Sequence, residues 1–532
     1  MYRNGNKTMT GLWGFLRNTG AVVFRLVLVS SILSAGGAAI AAERPLSKAW
    51  DEALAPIRSM PVQDFGFVRS GYTFGENHLL AISDQRSLEG LDALESVMWL
   101  MSRPEAARDA QLIKIERPQL VHMFSSKRIS LAQYRSPAVH EQMMQLIRQN
   151  QEEWMGPVND LEGKAQHLEE LENDFAIIPR KKEWLAPSQL GAGSGEVSEA
   201  VRALDVKIAE QWEKLRDAIK ADDPAAGREA ATQLALGVAA SAKEQGIVLP
   251  KLELDVFYHR HHPFAKSAFF YLFAALLYGA SLLFARRWAG WIGFALLIVG
   301  LVEQVIGVTA RWMLAGRAPL SNMYESFTFA IGGMILVALV FELFSRTRLA
   351  GLGGAVLGFI FMVLAHKAPI FDTQIRPLMP ALQSSWLTYH VVTIMLSYSA
   401  FALSFFVGIA YLIKDAAGGD QSRMLLMRQL PNLEAMDVFN YKIIAVGFPL
   451  LTIGVVFGAV WAATAWGRPW GFDPKETWSA ITWLIYAIYL HVRYLAGWKG
   501  RRAAILSLVG FAGVLFTYLG VNYLLPGLHS YV

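Results

Sequence analysis

The feature that most constrains this chain is a series of long apolar runs in its C-terminal half. From Ser267 onward, apolar stretches alternate with short polar or basic connections. Most of the stretches reach the ~20 residues that an α-helix needs to cross the hydrocarbon core of a bilayer. The runs are 267–285, 289–310, 323–344, 349–366, 388–412, 442–464, 478–496 and 503–524. This pattern predicts an all-α membrane protein with about eight transmembrane helices in residues 267–532.

Composition agrees with a membrane location and excludes several kinds of site. The chain is 54% hydrophobic and only 17% charged, whereas a soluble protein carries about 25% charged residues. The net charge of +5 is small, and the basic residues lie in short stretches between apolar runs, which argues against nucleic-acid binding. Because no cysteine is present, disulfides, Cys-ligated zinc and a cysteine nucleophile are excluded.

Two segments precede the apolar runs. Residues 1–42 combine basic residues, an apolar stretch and a small-residue end around Ala39 and Ala41, which is typical of a signal peptide or an N-terminal membrane anchor. Residues 43–262 carry charged and amide residues at helical spacing, which predicts a mostly helical soluble domain. Since a signal or anchor comes first, we expect this domain to lie outside the cytoplasm.

The basic residues between the runs predict the orientation of the helices, because short cytoplasmic loops are enriched in Lys and Arg. If residues 43–262 lie outside, the inner loops hold twelve basic residues and the outer loops hold seven. The signal segment and the charge bias therefore indicate the same topology. In that topology the connection between the sixth and seventh runs and the C-terminus face outward.

That outer connection, residues 461–478, is unusually rich in tryptophan, and we expect it to be a loop too short to form a helix. One interpretation is an interfacial belt, because Trp and Tyr gather at headgroup depth in many membrane proteins. The other is a surface for a flat apolar ligand with acidic edges, on which indole faces stack while Arg468 and Lys475 meet carboxylates. The candidate residues are Trp461, Trp466, Arg468, Trp470, Phe472, Asp473, Lys475 and Trp478.

Three histidines are candidates to serve such a ligand. His390 begins the fifth run and His529 follows the eighth, so the expected topology puts both on the side of the Trp-rich connection. Neutral imidazoles can occupy both axial positions of a haem iron. His491 lies within the seventh run, where an ionisable group usually marks a pathway or a ligand site, although a hydrogen bond between helices would also explain it. We interpret His366 and the cluster at 258–262 as interface residues.

With these residues the chain resembles the haem-handling membrane proteins that carry a tryptophan-rich "WWD" signature, and most closely the CcsA/ResC type of the System II cytochrome c synthases. The resemblance covers residues 267–532, and Phe472 stands where the family commonly has a tryptophan. Phe keeps the apolar face there and lacks the indole N–H donor. Further motifs that carry the resemblance are Pro319–Ser326, Tyr389–Val391, Gly447–Gly454, Ile488–His491, Gly520–Asn522 and Gly527–Tyr531.

The resemblance implies a bacterial inner-membrane protein that binds haem b on its periplasmic face. It implies that His390 and His529 are the axial ligands and that His491 belongs to an intramembrane entry or transit site. Haem and an apocytochrome c with a Cys-x-x-Cys-His motif are the implied substrates, and a ResB-type membrane protein is the implied partner. Residues 61–64 and 73–74 look like the segment that precedes the CcsA part in fused proteins of this type. Because residues 43–262 lack the several spans of a full ResB part, we expect the partner to be a separate chain.

The expected function is therefore a haem-delivery and haem-lyase subunit that makes covalent cytochrome c. We assign no catalytic residue, because the sequence shows no obvious acid–base pair for the attachment step. Two alternatives stay open at this point. One is a haem exporter or chaperone-loading protein that forms no thioether bond, and the other is an unrelated membrane transporter whose Trp-rich connection is only an interfacial belt.

Overall fold

Helices form nearly all of the regular structure in the computed structural model, which confirms the predicted all-α class. The structure describes residues 46–190, 197–250, 252–284, 286–368, 370–375, 378 and 382–525. The predicted signal or anchor, residues 1–42, and the candidate ligand His529 lie outside the described residues.

The N-terminal domain is mostly helical, as its sequence predicts, and it also contains two small antiparallel hairpins that the sequence analysis did not predict. The hairpins pair β1 (Pro61–Asp64) with β2 (Phe67–Ser70), and β3 (Ile113–Lys114) with β4 (Arg128–Ile129). The helices are α1 (Trp50–Ala53), α2 (Ala55–Arg58), α3 (Gly71–Ser83), α4 (Ala93–Ser102), α5 (Pro104–Asp109), α6 (Pro118–Phe124), α7 (Leu131–Tyr134), α8 (Pro137–Gln149), α9 (Gln151–Asp174), α10 (Glu199–Ala221) and α11 (Pro224–Glu244).

Large aromatic side chains form the centre of this domain. Phe175 packs against Trp212 with ring centroids 4.8 Å apart, and both are fully buried. Trp50 is also fully buried, and its indole N–H donates to Asp222 Oδ1 over 2.7 Å. A Cβ at Gly227 would lie 2.4 Å from the Trp50 ring, so only glycine lets α11 approach it. The domain thus has its own packed core, separate from the apolar helices that follow.

The C-terminal half consists of long apolar helices. Within the described residues, seven helical stretches are long and apolar enough to cross a membrane, so this is a multi-pass membrane protein. The helices are α12 (Leu252–His261), α13 (Pro263–Leu283), α14 (Arg287–Ala315), α15 (Met323–Ser345), α16 (Leu349–Lys367), α17 (Ser385–Ala416), α18 (Leu425–Gln429), α19 (Leu433–Trp466), α20 (Pro474–Leu495), α21 (Arg501–Leu515) and α22 (Val521–Leu524).

Two of the predicted runs differ from what the structure shows. The first apolar stretch begins at Leu252 rather than near 267, because α12 and α13 follow one another with a single break at His262, whose φ is 49°. The run 478–496 is helical as part of α20, but it is not among the seven apolar stretches. Polar and charged side chains along that helix, such as Thr482 and Arg493, lower its hydropathy.

Helix α20 nevertheless lies alongside α19 from end to end. The short connection 467–473 joins the end of α19 to the start of α20. Farther along, Trp483 Nε1 donates to Thr452 Oγ1 over 2.9 Å. Near the other end of the pair, the Arg493 guanidinium binds both carboxylate oxygens of Asp437, at 2.8 and 2.7 Å. The two helices are therefore antiparallel neighbours over their shared length.

The N-terminal domain is hydrogen-bonded to the first apolar helix. Asp255 of α12 accepts hydrogen bonds from the Ser70 backbone N–H (2.9 Å), the Ser70 hydroxyl (2.8 Å) and the Thr73 hydroxyl (2.6 Å). One turn later, His259 Nδ1 lies 2.5 Å from Glu76 Oε2. A cavity of about 710 Å³ adjoins these contacts, between the domain and the apolar helices.

Candidate functional site

The Trp-rich segment is mostly helix, so the expectation that all of 461–478 is a loop is wrong. Trp461 and Trp466 lie on the last turns of α19, which continues as far as Trp466 because alanines separate the two indoles and favour helix. Gly467 then adopts a left-handed conformation, with φ 73°, and ends the helix. Only residues 467–473 form the connection, and Trp478 lies on α20.

The structure brings His390 together with two of the predicted tryptophans. His390 lies in the second turn of α17, and its ring is parallel to that of Trp461, with centroids 6.4 Å apart and 12° between the planes. Trp461 in turn meets the edge of Trp466, with centroids 4.8 Å apart. Trp461 is buried and Trp466 is half-buried, so this cluster has a fixed inner ring and a partly accessible outer one.

One backbone contact fixes the His390 imidazole. Its Nδ1 lies 2.7 Å from the carbonyl oxygen of Gly454 on α19. Since a carbonyl oxygen can only accept, Nδ1 donates this hydrogen bond. In a neutral imidazole, a proton on Nδ1 leaves the lone pair on Nε2. Gly458, one turn farther along α19, lets the ring lie close to the helix, because a Cβ there would be 2.7 Å from His390 Cε1. Neither glycine was singled out as a site residue from the sequence, although Gly454 closes one of the motifs.

The connection itself presents aromatic and cationic groups at the surface. Trp470 and Phe472 meet edge to face, with centroids 6.3 Å apart, and Phe472 is 81% exposed. Phe472 has a φ of 55°, which turns the chain into the start of α20. The exposed Arg468 folds back over Gly471, where a Cβ would lie 2.5 Å from the guanidinium carbon. The expected positive charge is therefore present beside the aromatic rings.

Asp473, predicted to contact a ligand, has a structural role at the start of α20. Its Oδ1 accepts from the backbone N–H groups of Lys475 (2.8 Å) and Glu476 (3.2 Å), and Glu476 Oε2 accepts from the Asp473 N–H in return. This reciprocal pair is a capping box. Lys475 extends its ammonium group to Asn522 Oδ1 at 2.9 Å, which connects the start of α20 to α22.

Trp478 packs against the segment that joins α21 to α22. Its ring packs on Phe516 with centroids 4.1 Å apart. Phe516 was not predicted as a site residue, because nothing in its sequence context distinguishes it from the other phenylalanines of an apolar run. Asn522, by contrast, belongs to a motif that the sequence analysis noted.

The structure does not bring His491 to this cluster. It lies on the exposed side of α20 near the far end of the helix. From Pro474 to His491 the helix rises about 25 Å, at 1.5 Å per residue. His390 and His491 are therefore at opposite ends of the helical layer, as two separate sites would require.

Comparison with known proteins identifies the family. The family model described as "Cytochrome C assembly protein" matches residues 320–529, a range that contains all three candidate histidines. The cytochrome c biogenesis protein CcsA of Porphyra purpurea is 41% identical over 298 residues, which cover 49% of this chain and 93% of that protein. CcsA of Synechococcus elongatus is 39% identical over 264 residues, covering 42% of this chain and 81% of that protein.

A third relative shows the same extent of similarity. CcsA of Gloeobacter violaceus is 38% identical over 275 residues, covering 42% of this chain and 81% of that protein. In each case the greater part of the relative aligns with about half of this chain. The range matched by the family model includes the helices from α15 to α22. The chain therefore belongs to the CcsA family of cytochrome c biogenesis proteins.

Proposed function

We propose that this protein binds haem b at the Trp-rich end of its helices and presents it for covalent attachment to an apocytochrome c. The observation that carries the proposal is the setting of His390. The Gly454 carbonyl fixes its proton on Nδ1, which makes Nε2 the nitrogen suited to an axial iron bond. The parallel ring of Trp461 holds the imidazole in one orientation.

The neighbouring groups suit the rest of a haem molecule. The indoles of Trp466 and Trp470 and the ring of Phe472 offer apolar faces for the macrocycle. Arg468 and Lys475 offer positive charge for the two propionates. In this proposal His529 supplies the second axial ligand, and Trp478 braces α20 through its contact with Phe516.

In this proposal the protein contributes mainly by positioning the haem vinyl groups against the substrate cysteines. Each thioether forms when a cysteine S–H of the substrate adds across a haem vinyl group, with sulfur bonding to one vinyl carbon and hydrogen to the other. No external oxidant or reductant enters this addition. A site that fixes the iron through His390 and the ring plane through the aromatic faces places both vinyl groups at defined positions for the two cysteines.

Haem has to reach this site, and we propose that His491 marks the route. His491 lies near the end of α20 that is farther from the Trp-rich connection. This place suits an entry position inside the membrane, with a ResB-type partner chain covering the exposed side. In this arrangement α20 is an eighth transmembrane helix. The N-terminal domain, the connection 467–473 and the C-terminus then face the periplasm of a bacterial inner membrane.

The first test is the visible absorption spectrum of the detergent-purified protein, alone and with its partner. We expect a Soret band that is weakened strongly by His390→Ala and by His529→Ala. His140→Ala is the matched control, because His140 is an exposed histidine of the N-terminal domain. A complete lack of haem in both preparations would refute the haem-binding proposal, whereas haem retained at full level in both site variants would refute the ligand assignment.

A second experiment separates the competing functions. Co-expression with an apocytochrome that carries a Cys-x-x-Cys-His motif should give covalently attached haem, detected by haem staining of the denatured substrate. Bound haem without covalent product in the presence of the partner would favour an exporter or chaperone-loading protein. The absence of haem throughout would favour a transporter with an interfacial tryptophan belt.

A further inference from the structure

A second cluster of candidate ligands lies in the N-terminal domain, away from the Trp-rich end. His78 on α3 faces His167 and Asp174 on α9, which are seven residues apart and so lie on the same side of that helix. One ligand atom from each of the three side chains lies within 4.8 Å of the other two. The two imidazoles are stacked, with centroids 4.7 Å apart and 24° between the planes.

A carboxylate behind His78 prepares it for coordination. His78 Nε2 lies 3.3 Å from Asp64 Oδ1, and the Asn77 amide donates to Asp64 Oδ2 over 2.8 Å, so Asp64 is itself held in place. A proton on Nε2 satisfies the carboxylate and leaves the lone pair on Nδ1. A carboxylate that receives the second N–H of an imidazole is the usual outer partner of a metal-bound histidine.

In the part of the chain that the structure describes, each histidine of the cluster has one ring nitrogen that is buried and makes no hydrogen bond. Among the described residues, neither His78 Nδ1 nor His167 Nε2 has a hydrogen-bond partner. The His78 side chain is only 2% exposed, and its Nδ1 lies 3.8 Å from Asp174 Oδ2, which is too far for a hydrogen bond. Buried polar atoms normally have a partner. Two such nitrogens beside a carboxylate therefore indicate a site for a metal cation, which binds nitrogen lone pairs.

We propose that His78, His167 and Asp174 bind one divalent transition-metal ion, with zinc the best match. Two neutral imidazoles and one carboxylate are a common ligand set for zinc, which then completes its four-coordinate shell with water. Zinc bonds to N and O of about 2.0–2.1 Å place ligand atoms roughly 3.4 Å apart. The ligand atoms therefore have to move closer together by about 1 Å, through side-chain rotation, to bind the ion. The Asp174 side chain, 38% exposed, gives the ion access from solvent.

The ion would connect α9 to the helix that docks on the membrane region. Besides His78, α3 carries Thr73 and Glu76, which bind Asp255 and His259 of α12. A metal bridge from α3 to α9 therefore holds the docking helix against the body of the domain. This role is independent of haem binding at the Trp-rich end.

The test uses the full-length protein in detergent, with any histidine tag removed, stripped of metal and titrated with ZnCl2. We expect a single zinc ion per chain by calorimetry and by elemental analysis, and visible d–d bands when Co²⁺ replaces zinc. His167→Gln and Asp174→Asn should abolish binding, and Asp64→Asn should weaken it by roughly 10- to 100-fold. His140→Gln, at an exposed histidine of the same domain, should bind zinc as the wild type does.

The unfolding temperature, measured with and without zinc, shows whether each variant is folded and therefore whether its loss of binding can be interpreted. Zinc should raise the unfolding temperature of the wild type and of His140→Gln, because an ion that binds only the folded state stabilises it. It should leave folded His167→Gln unchanged, and it should still stabilise His390→Ala, since the two sites are separate. Wild-type protein that binds neither Zn²⁺ nor Co²⁺, or binding that survives both His167→Gln and Asp174→Asn, would overturn the proposal.

Discussion

The properties of His390 depend on two residues of the facing helix that have no side chain to contribute. Gly454 supplies the carbonyl that receives the Nδ1 proton, and Gly458 leaves room for the ring. A methyl group at 458 would lie 2.7 Å from His390 Cε1, closer than any ordinary contact. The imidazole would have to turn, and turning breaks the 2.7 Å hydrogen bond that fixes its tautomer.

We therefore expect Gly458→Ala to reduce haem retention strongly while the protein still folds. Loss of an outer hydrogen bond to a metal-bound histidine typically lowers affinity by roughly 10- to 100-fold. The measurement is the Soret absorbance per chain after purification. Gly279→Ala is the matched control, because among the described residues no atom outside its own stretch of helix lies within 4 Å of a Cβ at that glycine. Equal haem in Gly458→Ala and wild type would show that the orientation of His390 does not control binding.

Asp473, which the sequence analysis expects to contact the ligand, also caps the start of α20. As an acceptor for the first N–H groups of α20, it can be replaced by asparagine, which caps helices about as well, but not by alanine, which costs about 1 kcal/mol. We expect Asp473→Asn to match the wild type in unfolding temperature and haem content, and Asp473→Ala to be less stable. If Asp473→Asn lost haem without losing stability, the carboxylate charge would have to act on the ligand directly.

At the scale of elements, the sequence predicted well which segments are helical, but it did not predict which helices pack against one another. Apolar runs of about 20 residues are helical because lipid offers no hydrogen-bond partner to backbone N–H and C=O groups, which a helix pairs with each other. The extension of α19 to Trp466 was missed because tryptophan density suggested a loop, whereas the first residue that can end the helix is Gly467. The exposure of His491 and the pairing of Arg493 with Asp437 depend on which helices become neighbours, which hydropathy does not determine.

The contact between α3 and α12 leads to a prediction about pH. Burial favours the neutral form of Glu76, but the hydrogen bond from His259 and the charges of His259 and Arg86 outweigh it, so the pKa of Glu76 lies below its ordinary value of 4.5. A carboxyl group whose pKa is lowered by folding stabilises the folded state above its unfolded pKa. That contribution disappears as the pH falls through the folded pKa.

We expect Glu76→Gln to lower the unfolding temperature at pH 7, and we expect this effect to shrink as the pH falls from the ordinary carboxyl pKa of 4.5 toward the lower pKa of Glu76 in the folded protein. The measurement is the difference in unfolding temperature between wild type and variant from pH 7 to pH 3. Glu89→Gln, at an exposed carboxylate of the same domain, should show little difference at any pH. A difference for Glu76→Gln that stayed constant to pH 3 would contradict the role of its charge.

At the scale of the whole molecule, the path of α20 determines the topology of the C-terminal half. The composition of α20 keeps it out of the seven apolar stretches. Its contacts argue for a crossing, because Trp483 and Arg493 bind α19 at the middle and at the far end of the pair. A helix from Pro474 to Leu495 is also about 33 Å long, enough for a ~30 Å hydrocarbon core. Its polar side chains then face protein neighbours or a partner chain rather than lipid.

The absence of cysteine makes this topology directly testable, because a single introduced cysteine is the only thiol in the chain. Pro469 precedes α20 and Lys499 follows it, and both are exposed. In intact spheroplasts, a membrane-impermeant maleimide should label Pro469→Cys but not Lys499→Cys, and permeabilised membranes should show labelling of both. Lys207→Cys in the N-terminal domain should behave like the first variant, and Arg423→Cys before α19 like the second. Labelling of Lys499→Cys together with Pro469→Cys would mean that α20 returns to the side on which it began, leaving seven crossings and His491 on the same side as His390.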